Sequence, residues 1–281
     1  MLFRSSMNAI PSLALASIQM VSTPDWATNK KNAQTLIAQA ADAGARVIAL
    51  PEYFCLMGHS DTDKVALREP FGNGPIQDTL RQWAIDHHIY LVAGTIPLHS
   101  EDPQKVRNTT LVYDPSGNVI ARYDKIHLFG FKQGTEEYQE SKTIESGSQP
   151  VSFMIEHEGT PWRFGLSICY DIRFPELYRA MGAVDCHIVP AAFTYTTGQA
   201  HWEILLRARA IENQSYLLAS AQGGRHDNGR STWGHSMLID PWGSIMHQLE
   251  QNSGYILGTI NKNTIAEIRG KLPALKHRTI S

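Results

Sequence analysis

The sequence predicts an α/β fold arranged as a four-layer α-β-β-α sandwich. Two observations carry that reading. Short apolar, β-branched segments alternate with amphipathic segments of helical period, the rhythm of strand–helix–strand units with parallel strands. Twice that rhythm gives way to a strand, an Asp-Pro-x-Gly turn and a second strand, with the turns at residues 114–117 and 240–243. Such hairpins make antiparallel neighbours. Two sheets packed face to face, with helices on the outside, accommodate both patterns.

The elements follow in order. Residues 13–19 alternate as a strand, and 24–43 form a helix with Ala33, Leu36, Ile37 and Ala40 on one face and Gly44 as its cap. A short buried strand at 47–50 runs into Pro51-Glu52. Ile76, Leu80, Trp83 and Ala84 mark a second helix, and 90–96 is again strand-like. The first hairpin pairs 109–113 with 119–123, and a loop containing Gly130 and Gly134 follows. Strands at 151–155 and 162–168 precede a helix at 175–182, a strand at 187–191, a helix at 201–214 and a strand at 216–221. The second hairpin pairs 236–239 with 244–249, and a strand at 254–260 and a helix at 263–270 close the chain. No linker or repeat interrupts this, so residues 10–281 read as one domain. Residues 1–9 read as a loose leader, with Met7 a possible second start.

Composition narrows the partners. Of the 281 residues, 42% are apolar and 19% charged, and the net charge is −2. No basic stripe suggests nucleic acid, and no apolar run reaches membrane-spanning length. The three cysteines, Cys55, Cys169 and Cys186, are odd in number and lack CxxC spacing. That argues against a disulfide framework or a zinc cluster and for a reducing, cytoplasmic compartment. No HExxH, P-loop or GxGxxG occurs, so neither a metal nor another cofactor is expected.

Three residues stand where α/β proteins collect chemistry, at strand ends. Glu52 follows a buried strand, Lys125 ends a hairpin strand, and Cys169 sits between the strand at 162–168 and the helix opened by Pro175. A thiol on a sharp strand-to-helix turn projects from the scaffold beside free backbone N–H groups, which suits a nucleophile. Taken singly, each has a bland alternative: a solvated carboxylate, a water-facing lysine, a packed thiol.

Together they resemble something specific. Ala-Leu-Pro-Glu52, then Tyr-Asp-Lys125-Ile-His-Leu, then Cys169-Tyr-Asp-Ile-Arg-Phe-Pro-Glu176 are similar, in order, to the three signature motifs of the nitrilase superfamily of carbon–nitrogen hydrolases. The resemblance runs from Leu13 to Arg278 and includes Gly-His-Ser-Met-x-x-Asp-Pro-Trp-Gly at 234–243. It implies a sandwich of the nitrilase type and a Glu–Lys–Cys site. Glu52 would be the general base and acid, Cys169 the nucleophile, and Lys125 with the Tyr170 backbone N–H the oxyanion donors. A second glutamate, which holds the lysine, matches Glu140 of Glu140-Ser141, with Glu136 and Glu137 nearby.

The resemblance also bears on substrate. Arg173 matches a position that grips a substrate carboxylate, Phe193 an apolar wall of the acyl pocket, and Thr197 a polar contact there. Two branches share this pattern, the deaminated-glutathione amidases and the omega-amidases. Cys169 to Leu177, the segments at 221–226, 240–243 and 272–278, and Arg230 resemble the former; Lys125 to Phe129 and 140–143 resemble the latter. The balance favours a deaminated-glutathione amidase releasing 2-oxoglutarate and cysteinylglycine. An omega-amidase is the alternative, and an idle binding scaffold or a metallohydrolase are rivals of other classes. Arg225 and Arg230 are candidates to meet a peptide carboxylate, while Tyr53-Phe54-Cys55 departs from both branches. Tyr170-Asp171 after the cysteine, in place of Trp-Glu, argues against nitrile hydrolysis. The family implies a homodimer or higher homo-oligomer, with Tyr178, Met181 and the tail from Leu272 as contacts.

Overall fold

The computed structural model describes residues 10–134 and 136–280, so the expected leader and alternative start lie outside the described residues. Two sheets form the centre. In the first, the strands run in the order Gly254–Asn261, Ser12–Gln19, Val47–Ala49, Tyr90–Val92, Val106–Tyr113 and Ile96–His99, and Val119–Asp124 also pairs with Val106–Tyr113. In the second the order is Ile245–Leu249, Ser236–Ile239, Tyr216–Ala221, Cys186–Ala191, Thr160–Leu166 and Val151–His157. Parallel pairs occupy the middle of each sheet (Leu15 opposite Val47, Phe164 opposite Cys186, Cys186 opposite Tyr216), and the two hairpins add antiparallel strands towards the edges.

Alternation along Ser12–Gln19 explains the layering. Leu13 and Leu15 pack into the core shared with the second sheet, while Ala16 and Ile18 face the helices. The Trp26–Asp42 and Pro75–His87 helices cover the outer face through Ala33, Ile37, Leu80 and Trp83. The Tyr195–Asn213 helix covers the second sheet through Trp202, Leu206 and Ala210. These are the four layers. Between the sheets, buried hydroxyls satisfy carbonyls that water cannot reach. Ser17 donates to Ala219 O at 2.7 Å, and Ser220 donates to Ile18 O and Ala49 O at 2.6 and 2.9 Å.

Several boundaries differ from expectation. The strand expected over 90–96 divides around Gly94, whose φ is +53°. A Cβ there would lie 2.1 Å from Pro51 O, so glycine lets this turn press against the segment that carries Glu52. The helix expected at 201 starts at Tyr195, because Thr194 caps it by accepting from Thr197 N at 3.3 Å. The loop expected around 130–134 is a two-stranded ribbon, Gly130–Gln133 against Glu136–Gln139. A short helix at Asp63–Leu67 and a second ribbon, Gly223–Arg225 against Ser231–Trp233, were not expected. Tyr178 and Met181, expected at a subunit interface, are buried inside this chain instead. Tyr178 OH lies 2.8 Å from Ser167 Oγ, so its packing is internal. Among the described residues no helix is long and apolar enough to cross a membrane.

Candidate active site

The ends of strands from both sheets meet at one cavity. Val47–Ala49 leads to Glu52, Val119–Asp124 to Lys125, Thr160–Leu166 to Cys169, and Cys186–Ala191 to Ala192 and Phe193. Glu140 comes from a 3₁₀ turn, Glu140–Lys142, after the first ribbon.

Lys125 is fully buried, and its Nζ lies 2.8 Å from Glu52 Oε1 and 3.0 and 2.9 Å from the two oxygens of Glu140. Each carboxylate is held by further donors. Glu52 Oε1 also accepts from Asn108 Nδ2 at 2.9 Å, and Oε2 accepts from Ala192 N at 3.0 Å. Glu140 accepts from Tyr53 OH at 2.9 Å and from Phe129 N at 2.7 Å. Buried ions survive only when paired and hydrogen-bonded in this way.

Cys169 has φ +48°, in the left-handed region that side chains with a Cβ avoid. Asp171, itself fully buried, fastens the elbow. Its Oδ2 accepts from Ile168 N at 2.9 Å and Tyr123 OH at 2.7 Å, and its Oδ1 accepts from His127 N at 3.0 Å. The His127 ring also meets Oδ1 through Nδ1 at 2.7 Å and stacks on Phe174 with centroids 3.7 Å apart. The segment that carries Lys125 is thus tied directly to the turn that carries the thiol.

The electrostatics follow from burial and charge. Burial pushes the Cys169 thiol well above its ordinary value and Glu52 adds to this, while Lys125 opposes it. Burial also raises Glu52, helped by Glu140, while Lys125 pulls it down. Burial alone would lower Lys125, but Glu140 and Glu52 outweigh it and the ammonium is held well above its usual range. Burial would raise Glu140; Lys125 and the Phe129 N–H reverse this, so it is lowered. The resting site therefore holds a protonated thiol beside a carboxylate of raised basicity, with a fixed cation between two carboxylates.

The structure brings Glu52, Lys125, Glu140 and Cys169 together. Phe193 and Thr197 line a small apolar recess against Cys169, with Tyr170 and Phe129. The Thr197 hydroxyl is 2.8 Å from that of Thr194. Arg173 stands beside this recess. Its guanidinium reaches His201 Nδ1 at 3.3 Å and lies over the Tyr170 and Phe193 rings at 5.7 and 5.4 Å, behind the recess. Arg225 is exposed on its ribbon, whereas Arg230 lines the cavity and pairs with Asp61 at 2.7 Å. Sequence reasoning missed Asn108, Asp171 and the anchoring role of Tyr53. Cys55 and Cys186 are buried away from these groups, and burial pushes the Cys55 thiol up to about 12.

A buried thiol and a carboxylate of raised basicity lining one cavity, with a clamped ammonium beside them, suit hydrolysis through a cysteine. The sequence profile of the carbon–nitrogen hydrolases matches residues 14–270, and the chain belongs to that family. It is 38% identical over 267 residues to a deaminated glutathione amidase of Synechocystis, covering 94% of this chain and 97% of that one. It is 36% identical to the human omega-amidase NIT2 over 273 residues, covering 95% of each. Among solved structures, Saccharomyces cerevisiae Nit3, a member of branch 10 of the nitrilase superfamily, superposes with a TM-score of 0.83 at 27% identity, over 96% of this chain and 97% of that one.

Proposed function

We propose that the enzyme hydrolyses the amide of deaminated glutathione to 2-oxoglutarate and cysteinylglycine through a Cys169 thioester. The observation that carries the chemistry is the Lys125 ammonium fixed between Glu52 and Glu140 beside the thiol. Glu52 Oε1 is already committed to Lys125 and Asn108, so Oε2 is the oxygen that takes the thiol proton as Sγ attacks the carbonyl carbon. The carbonyl oxygen gains charge next to Lys125 Nζ and the Tyr170 backbone N–H, donors that strengthen as the charge grows. Glu52 then gives its proton to the departing amine nitrogen, the C–N bond breaks, and a thioester remains. Water enters, Glu52 takes its proton, and hydroxide adds to the thioester carbon. The thiolate departs and recovers the proton, releasing the acid. Glu140 acts throughout by positioning Lys125.

For the acyl side, Phe193 and Thr197 form the recess beside Cys169, and Arg173 stands behind Phe193, one side-chain movement from a carboxylate that reaches past the ring. Arg173→Leu is expected to lower kcat/KM on carboxylated amides by about 10- to 100-fold more than on neutral amides, the worth of a charge-assisted hydrogen bond. Equal losses on both would make Arg173 a packing residue for Tyr170 and Phe193.

The names of the relatives support both branches at nearly equal identity, so substrate preference decides between them. The test is a side-by-side kcat/KM measurement on deaminated glutathione and 2-oxoglutaramate. A preference for the first supports the reading, and a preference for the second makes the enzyme an omega-amidase. We further propose that it works in the reducing cytoplasm as a homodimer. Exposed apolar side chains at Ile204, Trp242 and Leu272 support association, and sedimentation at micromolar concentration tests it.

A further inference from the structure

The cavity continues past the catalytic groups, beyond the recess that Phe193 lines. There its wall carries two cations, Lys64 and Arg230, with Tyr53 and Tyr138 as their floor. Lys64 Nζ donates to Thr143 Oγ1 at 3.2 Å and stands 5.5 Å over the Tyr53 ring. Among the described residues it has no carboxylate at salt-bridge distance. Arg230 NH2 pairs with Asp61, and the guanidinium lies 5.3 Å over the Tyr138 ring. Its Asn228 and Asp61 contacts fix the ribbon end through the backbone N–H and one terminal nitrogen. The second terminal nitrogen and Nε have no protein partner among the described residues. Burial is the largest cause acting against the Lys64 ammonium; Asp61 and Glu140 favour it, and Arg230 and Lys125 oppose it more weakly. Lys64 Nζ, which no carboxylate holds, and the two Arg230 nitrogens without a partner among the described residues face one cavity, which Asp61 also lines, and donors of this kind suit an anion.

The chemistry fixes which part of a substrate lies there. An amide carbonyl carbon must sit at Cys169 Sγ, so its two substituents leave in different directions. The apolar recess of Phe193 and Thr197, backed by Arg173, takes the acyl substituent under the function proposed above, on which this step rests. The amine substituent is left with the wall of Lys64 and Arg230. We propose that Lys64 and Arg230 together bind a carboxylate on the leaving amine, so that the enzyme selects amides whose amine half is itself an anion of peptide type. Two aromatic floors at Tyr53 and Tyr138 suit the short chain between the scissile nitrogen and that carboxylate. Tyr53 also donates to Glu140, so occupancy of this wall lies one hydrogen bond from the group that holds Lys125.

The test compares deaminated glutathione with its C-terminal carboxamide, which differ only at the proposed anion. Wild-type enzyme should favour the free acid by about tenfold or more in kcat/KM, mostly through KM. In Lys64→Met and in Arg230→Met the loss on the acid should exceed the loss on the carboxamide by about tenfold. Taking the ratio removes any shared effect of Lys64 on Glu140. An acid preference that persists in both variants, or no preference in the wild type, overturns the inference and leaves the amidase reading intact. Should the wild type hydrolyse neither compound yet turn over 2-oxoglutaramate, the substrate reading fails, and a binding measurement then decides the inference. In the Cys169→Ala background, cysteinylglycine should bind more tightly than cysteinylglycinamide, and the added Lys64→Met and Arg230→Met changes should abolish the difference. Equal binding of acid and amide by Cys169→Ala overturns it.

Discussion

Cys169→Ala should lose at least about 10⁴-fold in kcat/KM on every amide the enzyme accepts, because a nucleophile cannot be replaced by the groups that serve it. The fold should survive. The side chain is small, and the elbow around it is held by the four hydrogen bonds to Asp171, none of which uses sulfur. A second variant reads the strain at this position. Residue 169 has φ +48°, a conformation that costs a residue with a Cβ about 1 kcal/mol and costs glycine little. Cys169→Gly should therefore be as stable as Cys169→Ala or more stable, although it buries fewer atoms, and should be equally inactive. Thermal melts of the two variants make the comparison. Cys55→Ser and Cys186→Ser separate thiol loss in general from loss of this thiol. Both residues are buried away from the cavity, and these variants should keep most of the wild-type turnover per folded molecule. Retained hydrolysis by Cys169→Ala would remove the thioester mechanism, and sensitivity of that residual activity to chelators would point to a metal-dependent route.

The residues that bear the chemistry were legible because each lies in a local pattern. Glu52, Lys125 and Cys169 all follow a strand directly, so sequence order alone puts them at sheet edges. What surrounds them was not legible for the same reason. Asn108 and Tyr53 reach Glu52 and Glu140 across 56 and 87 residues of chain, through pairings that no local window contains. Asn108 did leave a trace: Asn108, Thr109 and Thr110 follow Arg107 as consecutive polar residues in a strand that ends in the apolar Leu111, Val112 and Tyr113, and all three are buried. Buried polar groups need partners, and one of the three partners is Glu52. The ribbon of Gly130–Gln133 and Glu136–Gln139 escaped because most of its side chains face water, so no apolar alternation marks it. The start of the Tyr195–Asn213 helix escaped because Thr196, Thr197 and Gly198 are poor helix formers, and the Thr194 cap and the packing of Gly198 against Trp233 override that. The orientation of Arg173 is likewise invisible to a local window, since it depends on His201, 28 residues further on.

Lys125→Met should lower kcat by at least about 10²- to 10³-fold, the usual cost of losing one oxyanion donor. It should also change the pH dependence of both rate and stability, in directions the site fixes. Lys125 is the main charge that holds the Glu52 carboxyl down against burial and Glu140. Without it the Glu52 pKa rises further, and since the carboxylate is the base, the acid limb of the residual activity should move to higher pH. Stability responds through the same two carboxyls. In the wild type Glu140 is held below its ordinary value, so its contribution is present above the unfolded pKa and fades as pH falls through the folded one. In Lys125→Met two carboxyls face each other in a buried site with no cation between them, and both are raised. A raised carboxyl contributes stability below its unfolded pKa and loses it as pH rises through the folded pKa. The variant should therefore lie furthest below the wild type near pH 8, by about 3–5 kcal/mol as for other broken buried pairs, and approach it towards pH 5. Glu52→Gln in the same background should recover much of the deficit at pH 8, because it removes one of the two opposed charges and keeps the shape. A gap between wild type and Lys125→Met that stays constant with pH would mean that Lys125 fills space rather than neutralising Glu52 and Glu140.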